Sequence, residues 1–354
     1  MTYAIFAFAA TLCLVLFLRG QAHRVGLVDK PAGRKMHSGE IPLVGGLAIG
    51  GGFFLALLIQ QSIAVNYLPL AMGCLVIFLT GLIDDLQELS ASTKALGQVI
   101  AAVLMISWAN NYLLDLGDLF GAGTVVLGML AIPVTLIGVL GLINAMNMID
   151  GADGLAGGVG AIAAAWLGVA ALVLGVTDNA TVLFTLVAAI AGFLIFNLRY
   201  GFRKKASVFL GDAGSMFLGF ILVWFTVDLT QGGSNHLYAI SALWILALPI
   251  MDTVYLMVFR VLAGQSPFLA DRNHIHHVLA DIGFSTAKSV AILLGISAVF
   301  GAIGFFGWFF KVPESLLTFG FLALFAVQCV LRLRWKRVAA HNKAAVQQEE
   351  QVAA

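Results

Sequence analysis

Most side chains in this chain that could do chemistry fall in a few short stretches rich in carboxylates, amides and imidazoles. One reads Asp84-Asp85-Leu86-Gln87-Glu88, followed by Lys94 and Gln98. Adjacent carboxylates at the end of an apolar run are costly unless a cation offsets them. Such a pair suits holding Mg2+ or positioning a phosphate, with Lys94 neutralising charge nearby; a solvated helix terminus is the plainer alternative. A second stretch runs from Asn144 through Asn147, Asp150, Gly151, Asp153 and Gly154 to Gly158. Its polar groups recur at every third residue, so a helix entering the loop brings several onto one face. Oxygen ligands of this kind suit Mg2+, which keeps waters and phosphate oxygens in its shell. The glycines leave backbone amides open to a planar base or to phosphates. A capped turn explains Asp150 or Asp153 singly, but not the whole set.

A third stretch, Ser207 to Ser215, contains Phe209 and Asp212. Asp212 is either the N-cap of the next helix or, beside the Asn147–Asp153 loop, a carboxylate ligand. Phe209 is either core or a stacking platform for a nucleobase. The last stretch reads Asp271-Arg272-Asn273-His274-Ile275-His276-His277. It lacks the paired Cys or His ligands of a closed zinc site. Arg272, His274, His276 and His277 instead suit donation to a diphosphate or sugar. Asp252 lies inside an apolar run and needs a buried polar partner. Near the N-terminus, Asp29 to His37 forms a basic loop that sets topology and attracts an anionic head group. The glycines at 45, 46 and 50–52 that follow suit close helix packing.

The elements that position these groups are apolar helices. The chain has 354 residues, of which 61% are hydrophobic and 10% charged, with a mean hydropathy of +1.00. That excludes a soluble domain of this length. Apolar stretches of about 18–20 residues match the hydrocarbon thickness of a bilayer, and no alternation marks a β-barrel. We read an all-α polytopic membrane protein with eleven spans, at roughly 2–18, 43–60, 68–83, 95–108, 124–143, 158–176, 181–197, 213–229, 237–258, 289–308 and 315–331. Basic residues follow the first span rather than precede it, the reverse of a cleavable signal peptide. By the positive-inside rule the N-terminus is then outside and the C-terminus cytoplasmic. That alternation puts eighteen of the nineteen Lys and Arg residues inside, Lys311 alone being outside, together with every acid-rich motif. Cys13, Cys74 and Cys329 all fall in spans without motif spacing and read as small apolar residues. Residues 1–337 form one integral-membrane domain, and 338–354 a cytoplasmic tail, frayed or disordered. A net charge of +1 gives no reason to expect a nucleic-acid partner.

Taken together, Asp29–His37 with Ile41–Gly46, Asp84-Asp85 with Lys94, Asn144–Ala156, Phe209–Ser215 and His274–His277 resemble the polyprenyl-phosphate N-acetylhexosamine-1-phosphate transferase family, in order, spacing and membrane side. The His-Ile-His-His form is similar to the branch that uses UDP-N-acetylglucosamine, because Ile275 breaks the run of three histidines of the phospho-N-acetylmuramoyl-pentapeptide branch. The resemblance implies transfer of N-acetylglucosamine 1-phosphate from UDP-GlcNAc to undecaprenyl phosphate, with release of UMP, at the cytoplasmic face of a bacterial inner membrane. It implies Mg2+, with Mn2+ as a substitute, held by Asp212 and Asn147. Phe209, Gly151 and Asp153 then hold the uracil, and Asp84, Asp85 and Lys94 attend the lipid phosphate. The 272–277 segment holds the sugar diphosphate, Asp150 joins the catalytic group and Asn144 contacts substrate. Glu88 stands where some relatives carry a third aspartate and is left out. A homodimer through apolar helix faces follows by analogy. The competing expectations are the same transfer with another UDP-N-acetylhexosamine or with phospho-MurNAc-pentapeptide, an intramembrane prenyltransferase, and a transporter. A transporter's site usually sits near the bilayer midplane, whereas these groups gather at one face.

Overall fold

The computed structural model describes residues 2–30, 39–60, 65–199, 203, 205–231, 236–266 and 273–353, with side chains described as far as residue 335. Among them helix dominates, as backbone in lipid requires. The regular strands described are the antiparallel pair β1 (Val28–Asp29) and β2 (Ile41–Pro42), with Val28 opposite Pro42.

Helix α1 spans Thr2–Val25, α2 Gly45–Ile59, α3 Leu68–Gln87 and α4 Ala91–Ser107. After a 3-10 turn at Gly128–Leu130 come α5 (Ala131–Ile149), α6 (Leu155–Leu174), α7 (Thr177–Asn197) and α8 (Gly211–Thr230). The chain closes with α9 (Ala239–Ile245), α10 (Ala247–Leu262), α11 (Ile275–Asp281), α12 (Thr286–Phe309) and α13 (Glu314–Ala353). Eight described helices are long and apolar enough to cross a membrane, or nine if α9 and α10 count as one broken span. The shorter apolar helices α2 and α4 fall on the two remaining expected segments.

Two expectations are corrected. The span anticipated at 237–258 is not a continuous helix: α9 and α10 meet at Leu246 with a bend of 85°. Pro249, in the first turn of α10, has no N–H for the carbonyl a continuous helix would offer it. The span anticipated at 124–143 starts later and runs on through Ile149, so the helix expected to enter the loop carries Asn144 and Asn147 in its last turns.

The core lies around α8, where 89% of the spanning window is buried, against 17% for α1 and for α13. Helix α8 packs against α2, α3, α5, α6 and α9. Backbone-to-backbone contact through small residues permits this crowding. A Cβ on Gly46 would stand 2.3 Å from the Gly214 nitrogen, and one on Gly81 would stand 2.4 Å from the Ala213 Cα. Both contacts lie at the first turn of α8, so they fix the ends of α2 and α3 against the Asp212 segment.

Candidate active site at the start of helix α8

Helix α8 begins with Gly211 at φ +76°. That left-handed conformation favours glycine, and an added Cβ would also lie 2.7 Å from Asp85 Oδ2. The first backbone N–H groups of a helix lack intrahelical partners and carry partial positive charge. Asp85, at the last turn of α3, meets that need from outside. Its Oδ1 accepts from the Asp212 N–H at 2.8 Å and its Oδ2 from the Ala213 N–H at 3.1 Å. On the other flank, the Gly45 and Gly46 N–H groups donate to the carbonyls of Phe209 (2.9 Å) and Leu210 (2.8 Å), and the Phe209 N–H donates to Pro42 (2.8 Å). The Ile41–Gly46 motif thus braces the Phe209–Asp212 turn, while residues 31–38 of the basic loop lie outside the described residues.

Lys94, on α4, joins the acids. Its ammonium donates to Asp84 Oδ2 at 2.9 Å and to Asp212 Oδ2 at 3.4 Å. Asp84 is further held by the Leu89 N–H at 2.7 Å on its other oxygen. Asn147 Nδ2 donates to Asp212 Oδ1 at 2.9 Å and to Ser215 Oγ at 3.0 Å, so its amide nitrogen is committed and only the amide oxygen could meet a cation. Asn144 and Gln98 pair one turn away, Asn144 Nδ2 donating to Gln98 Oε1 at 2.8 Å. The Asp84 side chain is 7% exposed, against 28% for Lys94 and 34% for Asp212, so a ligand meets Lys94 and Asp212 first. Asp150 caps the end of α5. Burial, and then the charges of Asp212, Asp85 and Asp153, hold its carboxyl well above the usual carboxylate range.

The 150–154 loop is tied down on its far side. Asp153 Oδ2 accepts from Arg199 Nε at 2.6 Å and from the Ala206 N–H at 3.0 Å. Asn197 accepts from the Gly154 N–H at 2.7 Å and donates to the Val208 carbonyl at 2.8 Å. These bonds link the loop to the segment leading into Phe209, which is half-buried. Gly151 abuts the histidine motif, and a Cβ there would be 2.5 Å from His276 Nε2. His276 is buried, and among the described residues neither ring nitrogen has a hydrogen-bond partner. Burial, reinforced by His277 and His274, lowers its pKa to about 3, so it is a neutral imidazole at cellular pH. The half-buried His277 ring stands 4.2 Å from that of His276. His274 is turned away, Nδ1 bonding Asp252 at 2.8 Å. Arg272 lies outside the described residues.

A model of the family described as Glycosyl transferase family 4 matches residues 67–230, which contain every acid of this cluster. Over 91% of its length, and 90% of the relative's, the chain is 38% identical to the Undecaprenyl-phosphate alpha-N-acetylglucosaminyl 1-phosphate transferase of Pasteurella multocida. The protein of that name from Haemophilus influenzae is 37% identical over 90% of each chain. That from Escherichia coli strain K12 is 36% identical over 93% of this chain and 90% of its own. The chain belongs to this transferase family.

In this transferase the sequence-marked residues Asp84, Asp85, Lys94, Asn147, Asp150 and Asp212 converge, and the Gly151–Asp153 loop meets His276. Glu88 stands apart, an exposed C-cap in the left-handed region at φ 51°. Among the described residues no group of three or more His, Cys, Asp or Glu is placed to hold a metal ion by itself. Mg2+ does not ask for one: it takes one or two protein carboxylates and completes its shell with water and phosphate oxygens. The oxygen-only donor set of Asp212 and Asn147 fits that habit. So does the excess of four carboxylates, Asp84, Asp85, Asp150 and Asp212, over the single cation Lys94. Reading the sequence missed Arg199 as the partner of Asp153 and Arg332 as a partner of Asp252. Both sit among the basic residues that set topology, and only an acid without a nearby cation in sequence hints otherwise.

Proposed function

We propose that the transferase moves N-acetylglucosamine 1-phosphate from UDP-GlcNAc to undecaprenyl phosphate and releases UMP, at the cytoplasmic face of the bacterial inner membrane. The observation that carries this is Lys94 bridging Asp84 and Asp212, with Asp85 clamping the start of α8. One fixed cation and an open carboxylate thus lie at the ends of membrane helices, where a cytosolic nucleotide and a lipid phosphate can meet. An oxygen of the lipid phosphate attacks the β-phosphorus of the nucleotide sugar. The bond from that phosphorus to the bridging oxygen breaks, and UMP leaves with the electron pair.

The acceptor's second pKa is about 6, as for phosphate monoesters generally, so it arrives mostly as a dianion and needs no general base. Lys94 attracts it and orients the attacking oxygen. Asp85, with both oxygens committed to backbone N–H groups, acts by holding Asp212 in place. Asn147 and Lys94 each engage one oxygen of Asp212, which blunts it as a covalent nucleophile; direct attack follows. Asp212 and the Asn147 amide oxygen would hold Mg2+, or Mn2+ as a substitute, which when bound would neutralise charge on the diphosphate and on the departing UMP. Phe209 and Gly151 take the uracil, positioned by the Asp153–Arg199 tie. Asn144, at the open end of the cluster, contacts substrate. His276 and His277 face the sugar, and the neutral His276 contributes hydrogen bonds rather than charge. Arg272 completes the diphosphate contact. Eleven crossings, an outside N-terminus, a cytoplasmic tail at 338–354 and a homodimer complete the proposal.

Transfer of radiolabelled sugar from UDP-GlcNAc by the purified protein tests it. Removing divalent cations abolishes product, and Mg2+ or Mn2+ restores it. Asp212→Asn lowers turnover by about a hundredfold or more, the loss typical of a group that stabilises developing charge. Full activity in that variant would remove Asp212 from the metal site.

A further inference from the structure

Asp252 and Arg332 have no place in the chemistry above, yet they form the most deeply buried ion pair described. Asp252 is 1% exposed and Arg332 0%. Asp252 gathers three donors from two other elements: the Arg332 guanidinium, the Ile275 N–H at 3.0 Å and His274 Nδ1 at 2.8 Å. The guanidinium also sits over the Tyr255 ring, 4.5 Å from its centroid, one turn along α10 from Asp252. Two of its nitrogens, Nε and Nη1, have no hydrogen-bond partner among the described residues.

Burying a pair this way is a poor route to stability, since apolar residues of similar volume usually do as well or better. Position is what the pair does supply. Ile275 opens α11 and His274 is its N-cap, so Asp252 holds the first turn of that helix by backbone and side chain together. His274 in turn stacks on His276, ring centroids 5.7 Å apart at 20°, and His276 presents two unpartnered nitrogens beside Gly151.

We propose that Asp252 and Arg332 are positioning residues, an ion pair from α10 and α13 that sets His276 against the Gly151 loop and so governs recognition of the nucleotide sugar, but not of the lipid acceptor. The inference rests on the transfer reaction proposed above. Helix α13 thereby becomes part of the substrate site without touching substrate.

Purified protein in lipid nanodiscs provides the test, with KM determined separately for UDP-GlcNAc and for undecaprenyl phosphate. Asp252→Asn and Arg332→Met should each raise KM for the nucleotide sugar by roughly ten- to a hundredfold, the scale of an ångström-sized misplacement, with KM for the lipid unchanged. Both single variants leave a buried charge unpaired and should melt at lower temperature. The double variant Asp252→Asn/Arg332→Met removes both charges, so it should recover the melting temperature while the nucleotide-sugar KM stays high. Recovery of KM together with stability would overturn the inference, as would an equal rise in both KM values. Amide exchange adds a readout that needs no substrate: in an Asp252→Leu/Arg332→Met variant, which lacks the acceptor oxygen, the Ile275 N–H loses protection if the pair positions α11, and unchanged protection contradicts it. Failure of the wild-type protein to transfer sugar phosphate would instead sink the reaction itself, leaving the exchange result to judge the positioning.

Discussion

Asp85 shows how one side chain can serve a site without meeting a substrate. Its two oxygens accept the N–H groups of Asp212 and Ala213, donors that have no partner within α8. Asp85→Ala removes both acceptors and leaves those donors unsatisfied, at a cost of about 1–3 kcal/mol; Asp85→Asn keeps one acceptor oxygen and should lose less. Thermal melts of the two variants in nanodiscs check the order, and equal stability of wild type and Asp85→Ala would contradict the clamp. At this scale the sequence displayed the participants well. Carboxylates are so scarce in an apolar chain that Asp84, Asp85, Asp150, Asp153 and Asp212 marked themselves, as did Lys94. Their partners were hidden, because a carboxylate satisfied by a backbone N–H, as Asp85 is, leaves no trace in residue types. Asp153 with Arg199 and Asp252 with Arg332 are pairings across 46 and 80 positions, which no spacing rule reaches.

Helices α2 and α3 approach α8 until backbone meets backbone, and the acids depend on that approach. Gly81 lies one turn before Asp85, so a side chain there separates Asp85 from its N–H partners as well as crowding the helices. Gly81→Val should destabilise the protein by about 1–3 kcal/mol, as overpacking does, and should depress transfer more than an equally destabilising change on a lipid-facing residue such as Leu79, which is 48% exposed. Melting temperature and turnover measured side by side decide this; a Gly81→Val protein with normal turnover would refute it. Helix positions were legible from hydropathy because a span must be apolar for about 20 residues. The 85° bend at Leu246 was not, since the apolar run crosses it without interruption and Pro249 was the sole cue. The extension of α5 through Ile149 was missed for the converse reason: Asn144 and Asn147 lower hydropathy, but a helix continues as long as its backbone bonds are made.

At the scale of the whole molecule, every acid of the cluster lies at one end of the helical bundle, and the match to known transferases extends over nine-tenths of the chain. The charge bias of the loops predicts that this end faces the cytoplasm, by a regularity of membrane insertion that needs no knowledge of packing. What the charge bias withheld was depth, namely that Lys94 and Asp212 stay open while Asp84 closes behind them. In the proposed reaction this opening joins the two substrates at phosphorus, carrying sugar and phosphate together. Following the β-phosphate of UDP-GlcNAc tests it most directly. With that phosphate radiolabelled and purified protein supplied with undecaprenyl phosphate and Mg2+, the label should move into organic-extractable lipid while unlabelled UMP appears in the water phase. Label retained in water-soluble UDP, with sugar alone passing to the lipid, would contradict the account.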